Sequence, residues 1–499
     1  MAACSLGMHV ILTEEFEWVG GQLTSQAVPP DEHPWIEYFG CTARYRRYRN
    51  LVRAAYAPRL KHPLNSQTQW FNPGGGWVSL LCHDPAIGHK VLRHMLADET
   101  TGGKLELRPR TRPISAESEE HIVRAVVMES LLTGELERIE AKYILDATEL
   151  GGLLPMTGTA YVAGAESKQD TGEPHALDGP ANPENVQGFT WVMALGFDPG
   201  GNHTIEKPSR YDFWKQYQPD FWPDKLLSFK MLHVQKGHPI DFPLFGNDRF
   251  NLFEYRQIVD PSLFAEPMEA ATIANWPQND YYEGNIIDKP AEEVAKHLQA
   301  SRELSVSMLY WLQTEAPRHD GGVGYPEIRL RPDLVGTSDG LAQAPYIRES
   351  RRIHARFTVC EQHVSAECNP GLNRAPEFKD SVGVGAYRID LHPSTSGDNT
   401  FDASSLPFQI PLGALIPIET KNLIPACKNL GVTHITNGCY RLHPVEWNIG
   451  ETAGLLAAHA IREDLDLGEI LESDEKLAAF QNLCVGQGIE ITWPTLRPL

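Results

Sequence analysis

The opening fourteen residues constrain the fold more than any other stretch of the chain. Met1-Ala2-Ala3-Cys4-Ser5-Leu6-Gly7 reads as the tail of a helix closed by a glycine suited to a left-handed C-terminal position. The apolar run His9-Val10-Ile11-Leu12-Thr13 then reads as a buried parallel strand, and it ends in an acid, Glu14. Helix, tight glycine, apolar strand and terminal carboxylate form the second half of a dinucleotide-binding βαβ unit, in which the acid hydrogen-bonds a ribose. A buried strand can also end in Glu without any such role. The Gly-rich turn of the full unit lies about 20 residues before the acid, which is upstream of Met1. The expectation is that the reading frame, or an ancestor of it, extends upstream by about 20 to 30 residues.

A chain of 499 residues with 41% apolar residues has material for several cores. Forty-four Lys and Arg against 65 Asp and Glu leave a net charge of −21, which disfavours nucleic acid and anionic lipid as partners. No apolar run is long enough to cross a bilayer. The eight cysteines contain no Cys-x-x-Cys, so neither a disulfide framework nor a metal-ligand spacing is predicted, and a reducing, cytoplasmic setting is expected.

Strands are predicted over Lys104–Arg108, Ile122–Met128, Ile139–Leu145 and Leu423–Cys427. Helices are predicted over Ala291–Thr314, near Glu446–Asp464, and from an N-cap at Ser473 to Cys484. The strand ending at Leu145 leads into Asp146-Ala147-Thr148 and paired glycines, small residues where a backbone or ligand must come close. Residues 166–409 differ in character, being rich in Trp, Tyr, Pro and Asn.

Three ordered segments resemble one family. They are residues 7–26, with Val-Gly-Gly-Gln-Leu-Thr-Ser-Gln at their end; Ala-Lys-Tyr-Ile-Leu-Asp-Ala-Thr-Glu (141–149); and residues 421–454, which close on Gly-Glu-Thr-Ala-Gly. Together they are similar to bacterial FAD-dependent oxidoreductases with the glutathione-reductase-type flavin fold, less that family's N-terminal strand and Gly-x-Gly-x-x-Gly turn. Asn72-Pro73-Gly74-Gly75-Gly76-Trp77 and Pro345-Tyr346-Ile347-Arg348-Glu349 also look like that family's segments. The resemblance implies an α/β fold: a discontinuous, Rossmann-like FAD-binding domain (1–165 and 410–470), an inserted α+β substrate domain (166–409), and a C-terminal helix and tail (471–499).

It further implies FAD as cofactor, a small-molecule substrate, and hydride transfer to the flavin. Glu14 would hold the adenosine ribose, Gly20 and Gly21 would let the backbone pass close to the cofactor, and Gln22 and Thr24 would add polar contacts. Asp146, Ala147 and Thr148 would lie beside the pyrophosphate. Gly450, Glu451, Thr452, Ala453 and Gly454 would open a helix whose N–H groups face the flavin. His443, Arg441 and His434 are the catalytic candidates: His titrates near neutrality, and Arg can clamp an anionic substrate or stabilise anionic flavin. Against these stand the ordinary roles of such residues in cores and on surfaces. The cluster Tyr346, Arg348, Glu349, Arg351 and Arg352 reads first as an interdomain ion-pair network. Trp70 and Trp77 pack in a core or line a pocket for a sugar or aromatic ring. Gly383-Val384-Gly385 lacks the rest of a dinucleotide fingerprint. The alternative function is a flavin-free binding or carbohydrate-active, lyase-like protein on the same scaffold.

Overall fold

In the computed structural model the described residues are 1–65, 69–233, 237–246 and 250–494, so the last five residues of the expected C-terminal tail lie outside them. The helical stub forms over Ala2–Ser5, and Gly7 takes φ +88°, a conformation that suits glycine at a helix end. The apolar run becomes the strand Val10–Glu14, paired in parallel with Leu105–Pro109. It is half-buried throughout rather than buried, because among the described residues no strand covers its other edge. A second parallel pair joins Ile144–Asp146 to Leu423–Pro425, so segments nearly 280 residues apart share one ladder.

The single strand expected over Ile139–Leu145 is two. Leu136–Ile139 closes an antiparallel meander with Thr111–Glu119 and Ile122–Ser130, and Ile144–Asp146 belongs to the parallel pair. The exposed residues Glu140, Ala141 and Lys142 carry the chain between the two sheets. The middle of the chain builds a four-stranded antiparallel sheet in the order Gln257–Val259, Ala271–Ala274, Met193–Phe197, Ile328–Leu330. The helix Ala291–Thr314 forms as predicted and buries Leu304, Met308, Leu309 and Leu312 in the same core as Met193 and Leu195. Ser473 caps the helix Asp474–Gly486 by accepting from the Lys476 N–H.

Three large cores result. One is built mainly from residues 189–347. A second gathers the N-terminal helices with Val192, Ala194 and Tyr346. The third runs from Val359 to Ile489 and takes in Ala2, so residues 359–409 pack with the C-terminal region rather than apart from it.

Candidate active site

The loop after the first strand, the Asp146 segment and the approach to the long C-terminal helix meet around a buried lysine. Lys428 is fully buried and pairs with Glu149, with Glu446 3.7 Å away on its other side. Gln22 Nε2 donates to Glu446 Oε2 at 2.8 Å and to the Arg441 carbonyl at 3.0 Å, which ties the first loop to the C-terminal segment. Gly21, at φ +51°, brings its backbone so close to Glu149 that a side chain there would meet Oε1 at 3.0 Å. Gly20 is exposed at φ +121°, and a Cβ would collide with Thr24 Oγ1 at 2.7 Å; that hydroxyl donates to the Val19 carbonyl. Glycine is required at both positions.

Asp146 is buried and locks its own turn: Oδ1 accepts from the Thr148 N–H and hydroxyl at 2.9 and 2.7 Å, and Thr148 Oγ1 accepts from the Gly152 N–H. Its second oxygen has no partner. Ala147, between them, is exposed. Glu14 accepts from the Phe16 N–H at 3.0 Å. Burial, with Glu149 nearby, pushes its carboxyl up to about 7. Burial likewise pushes Glu446 up to about 7, against the pull of Lys428.

The helix facing this site starts earlier than its sequence suggests. It spans His443–Glu463 with Pro444 in its first turn, so residues 450–454 occupy its interior and do not open it. Their small side chains serve packing. Gly450 abuts the Ala426 carbonyl, and Gly454 receives Ala2 and Ala3 of the N-terminal helix. Ala453 lies in the core, Thr452 Oγ1 donates to the Val382 carbonyl, and Glu451 pairs with Arg44 at 2.5 Å. The exposed dipole end expected at Gly450 belongs to His443 and Pro444.

At that end the chain places polar atoms without partners. His443 Nδ1 accepts the Asp31 N–H at 3.0 Å. Burial, aided by Arg256 and other cations, holds the ring down at about 3. The neutral ring therefore carries its proton on Nε2, which is buried and unpartnered. Arg256 is buried with its Nη1 3.9 Å from Asp31 Oδ1, an ion pair too long for a hydrogen bond, its Nε without a hydrogen-bond partner and its guanidinium over the Tyr255 ring. Asp31 Oδ1 is unpartnered too, and burial raises that carboxyl. Arg441 donates to Tyr346 Oη at 2.8 Å and to the Asp390 carbonyl at 3.0 Å, which leaves its Nε free of partners. Buried polar groups are nearly always paired, so this concentration stands out as a candidate site.

Sequence reasoning found His443 and Arg441 here but missed Asp31 and Arg256. Asp31 stands nine residues beyond Gln22, and its distance from that loop is the one signal that could have raised it. Arg256 carries no local motif. His434 is elsewhere: it lines a separate cavity, its Nδ1 against Glu349. Of the charged cluster, Arg348 pairs with Asp280, and Arg352 pairs with Glu349 and Glu166, as an internal network. Trp70 and Trp77 are each about two-fifths exposed, packed against Tyr38 and Tyr255 respectively.

The model of the FAD dependent oxidoreductase family matches residues 1–483, and the chain belongs to that family. No curated protein matches it. Among the described residues no helix is long and apolar enough to cross a membrane.

Proposed function

From its membership of the FAD dependent oxidoreductases, we propose that this chain oxidises a small organic substrate at the buried polar cluster of Asp31, Arg256, Arg441 and His443. FAD, when bound, supplies the hydride acceptor. The residues present fit that cofactor on two observations: glycines at 20 and 21 that admit no side chain, and buried oxygens of Gln22 and Asp146 that have no hydrogen-bond partner in the protein. Glu14, Gly20, Gly21, Gln22 and Thr24 would hold it from one side, and Asp146, Ala147 and Thr148 from another.

The observation that carries the reading is three buried donors with no hydrogen-bond partner in the protein, Arg256 Nε, Arg441 Nε and His443 Nε2, beside the Arg256–Asp31 ion pair. Such donors orient an oxygen-bearing group and stabilise negative charge on it. His443 acts as a fixed donor, since its Nδ1 is already engaged by the Asp31 backbone. In this reading the Asp31 carboxylate takes the substrate's O–H or N–H proton; its Oδ1 makes no hydrogen bond within the protein, and burial raises its proton affinity. The test is anaerobic reduction of the bound flavin by a panel of small hydroxy- and amino-compounds. Asp31→Asn is expected to retain the yellow colour and lose substrate-dependent bleaching by roughly 10²–10⁴-fold. Full bleaching in that variant would remove the carboxylate from the reaction.

A further inference from the structure

Apart from the cluster around Asp31, a cavity of about 180 Å³ has walls that include His434, His175, His392, Leu177 and Asn185. We propose that it binds a small neutral polyhydroxylated molecule of about monosaccharide size. Its volume is slightly above the roughly 150 Å³ cavity that accepts benzene, so it has room for one six-membered ring.

Three histidines on its wall share one construction. His434 Nδ1 meets Glu349 at 2.9 Å, His175 Nδ1 meets Glu361 at 2.6 Å, and His392 Nδ1 meets Asp280 at 2.6 Å. Each carboxylate is fully or almost fully buried behind its ring. In His434 and His175 a carboxylate on Nδ1 fixes the ring's orientation and leaves Nε2 for whatever occupies the cavity, whereas His392 is held at both ends, its Nε2 3.7 Å from Asp390 Oδ2. Three such rings around one metal would be a familiar arrangement, but among the described residues no three His, Cys, Asp or Glu side chains come together closely enough to hold a metal ion. Spread around the wall instead, the rings suit several hydroxyls of one molecule.

Asn185 supplies an independent observation. It is 2% exposed, and its Nδ2 donates to Asp398 Oδ2 at 2.6 Å. Its Oδ1, also buried, has no partner. A buried amide oxygen left unpaired calls for a donor from a ligand. Apolar surface completes the wall: Phe401, with the His175 ring 4.6 Å away, together with Leu391 and Ile435. A sugar ring offers C–H faces to such a surface and hydroxyls to the rest.

Charge argues for a neutral ligand. Glu166, the buried-side carboxylate of the wall, is already engaged by Arg352 and the His434 N–H. The carboxylates behind the three rings are engaged by those rings. Asp398 stands at the exposed rim and is held by Asn185 and Ser394. Ring nitrogens and amides face the occupant in the interior, and the Asp398 carboxylate at the rim disfavours an anion.

Titration calorimetry and saturation-transfer NMR on the full, FAD-loaded chain decide the matter, with D-glucose, myo-inositol and glycerol as probes and ethylamine and acetate as charged controls. The expected result is saturable binding of at least one polyol with no bleaching of the flavin. Asn185→Ala should weaken it about tenfold, and Leu177→Trp, which fills the cavity, should abolish it, both with unchanged flavin absorbance. If Asn185→Ala fails to fold, Leu177→Trp decides. Absence of saturable polyol binding, equal binding by wild type and Leu177→Trp, or binding of ethylamine or acetate in place of the polyols would overturn the proposal. So would bleaching of the flavin by the bound polyol, which would make the cavity the oxidation site; failure of the oxidation chemistry at Asp31 would leave the binding result untouched.

Discussion

Two groups of buried arginines teach opposite lessons. Arg348 and Arg352 spend their Nη atoms on protein: Arg348 on Asp280, Asn275, Thr190 and the Gly188 carbonyl, Arg352 on Glu349, Glu166 and the Gly164 carbonyl. Arg256 makes no hydrogen bond of comparable quality, and its nearest carboxylate, Asp31, is 3.9 Å away. A buried guanidinium is costly unless satisfied. The first group offsets most of that cost within the fold, each keeping only its Nε without a partner, and the second leaves more of it to be offset by what binds.

The comparison breaks most visibly on substitution. Arg352→Met strands Glu349 and Glu166 in a buried setting, so a loss of about 3–5 kcal/mol of stability is expected, read by chemical denaturation. Arg256→Met should cost far less stability, because fewer partners are stranded, while slowing substrate-dependent flavin reduction by roughly 10²–10³-fold. Equal destabilisation by the two would show that Arg256 is as structural as Arg352.

Next in size is His443→Gln. Loss of a positioned Nε2–H donor is expected to slow reduction by roughly 10–100-fold, or about 1.4–2.7 kcal/mol of barrier. Stopped-flow reduction across pH 5–8 sharpens it. A ring held neutral gives wild type no inflection from His443 near 6.5, whereas a general base would give one that the variant lacks. Smaller again is Glu14→Ala. A contact remote from the reacting atoms weakens cofactor retention by about tenfold and leaves the reduction rate of the bound fraction unchanged. Flavin released during dialysis measures it, and retention equal to wild type would detach Glu14 from the cofactor.

The order of effects follows what the sequence made legible. The strand at 10–14, the parallel ladder partner at 144–146, the helix at 291–314 and the Ser473 cap were readable because local periodicity and capping chemistry specify them. The helix expected near Glu446–Asp464 is found, but residues 450–454 do not open it: Gly450 and Gly454 look like the glycines of a ligand-binding turn, yet they are spent on helix packing against Ala426 and Ala2. Two members of the proposed cluster, His443 and Arg441, were legible as candidates because they stand beside that helix in sequence. Arg256 was not, because it reaches the site from the inserted sheet, whose edge strand begins at Gln257, and only tertiary pairing brings it there.

The smallest expected effect is a crossing of two pH dependences. His33 and His83 are held down at about 4 and His443 at about 3, each chiefly by burial. Between those values and the ordinary 6.5 the folded chain binds fewer protons at these rings than the unfolded chain does, so their contribution to stability is lost as pH falls from about 6.5 toward 4. Glu14 and Glu446 run the other way. With folded values near 7 against an ordinary 4.5, the folded chain binds more protons there, so stability is lost as pH rises from about 4.5 to 7. Glu14→Gln removes one acid from the second group and none from the first. The melting temperature at pH 7.5 relative to pH 5 should therefore rise in that variant by an amount on the order of 1–2 °C over wild type, while the decline below pH 5 stays as it was. A melting profile superimposable on wild type over pH 5–7.5 would mean that the Glu14 carboxyl ionises as a solvent-exposed acid does, and with it would go the buried, carboxylate-flanked setting that separates this loop from an ordinary strand end.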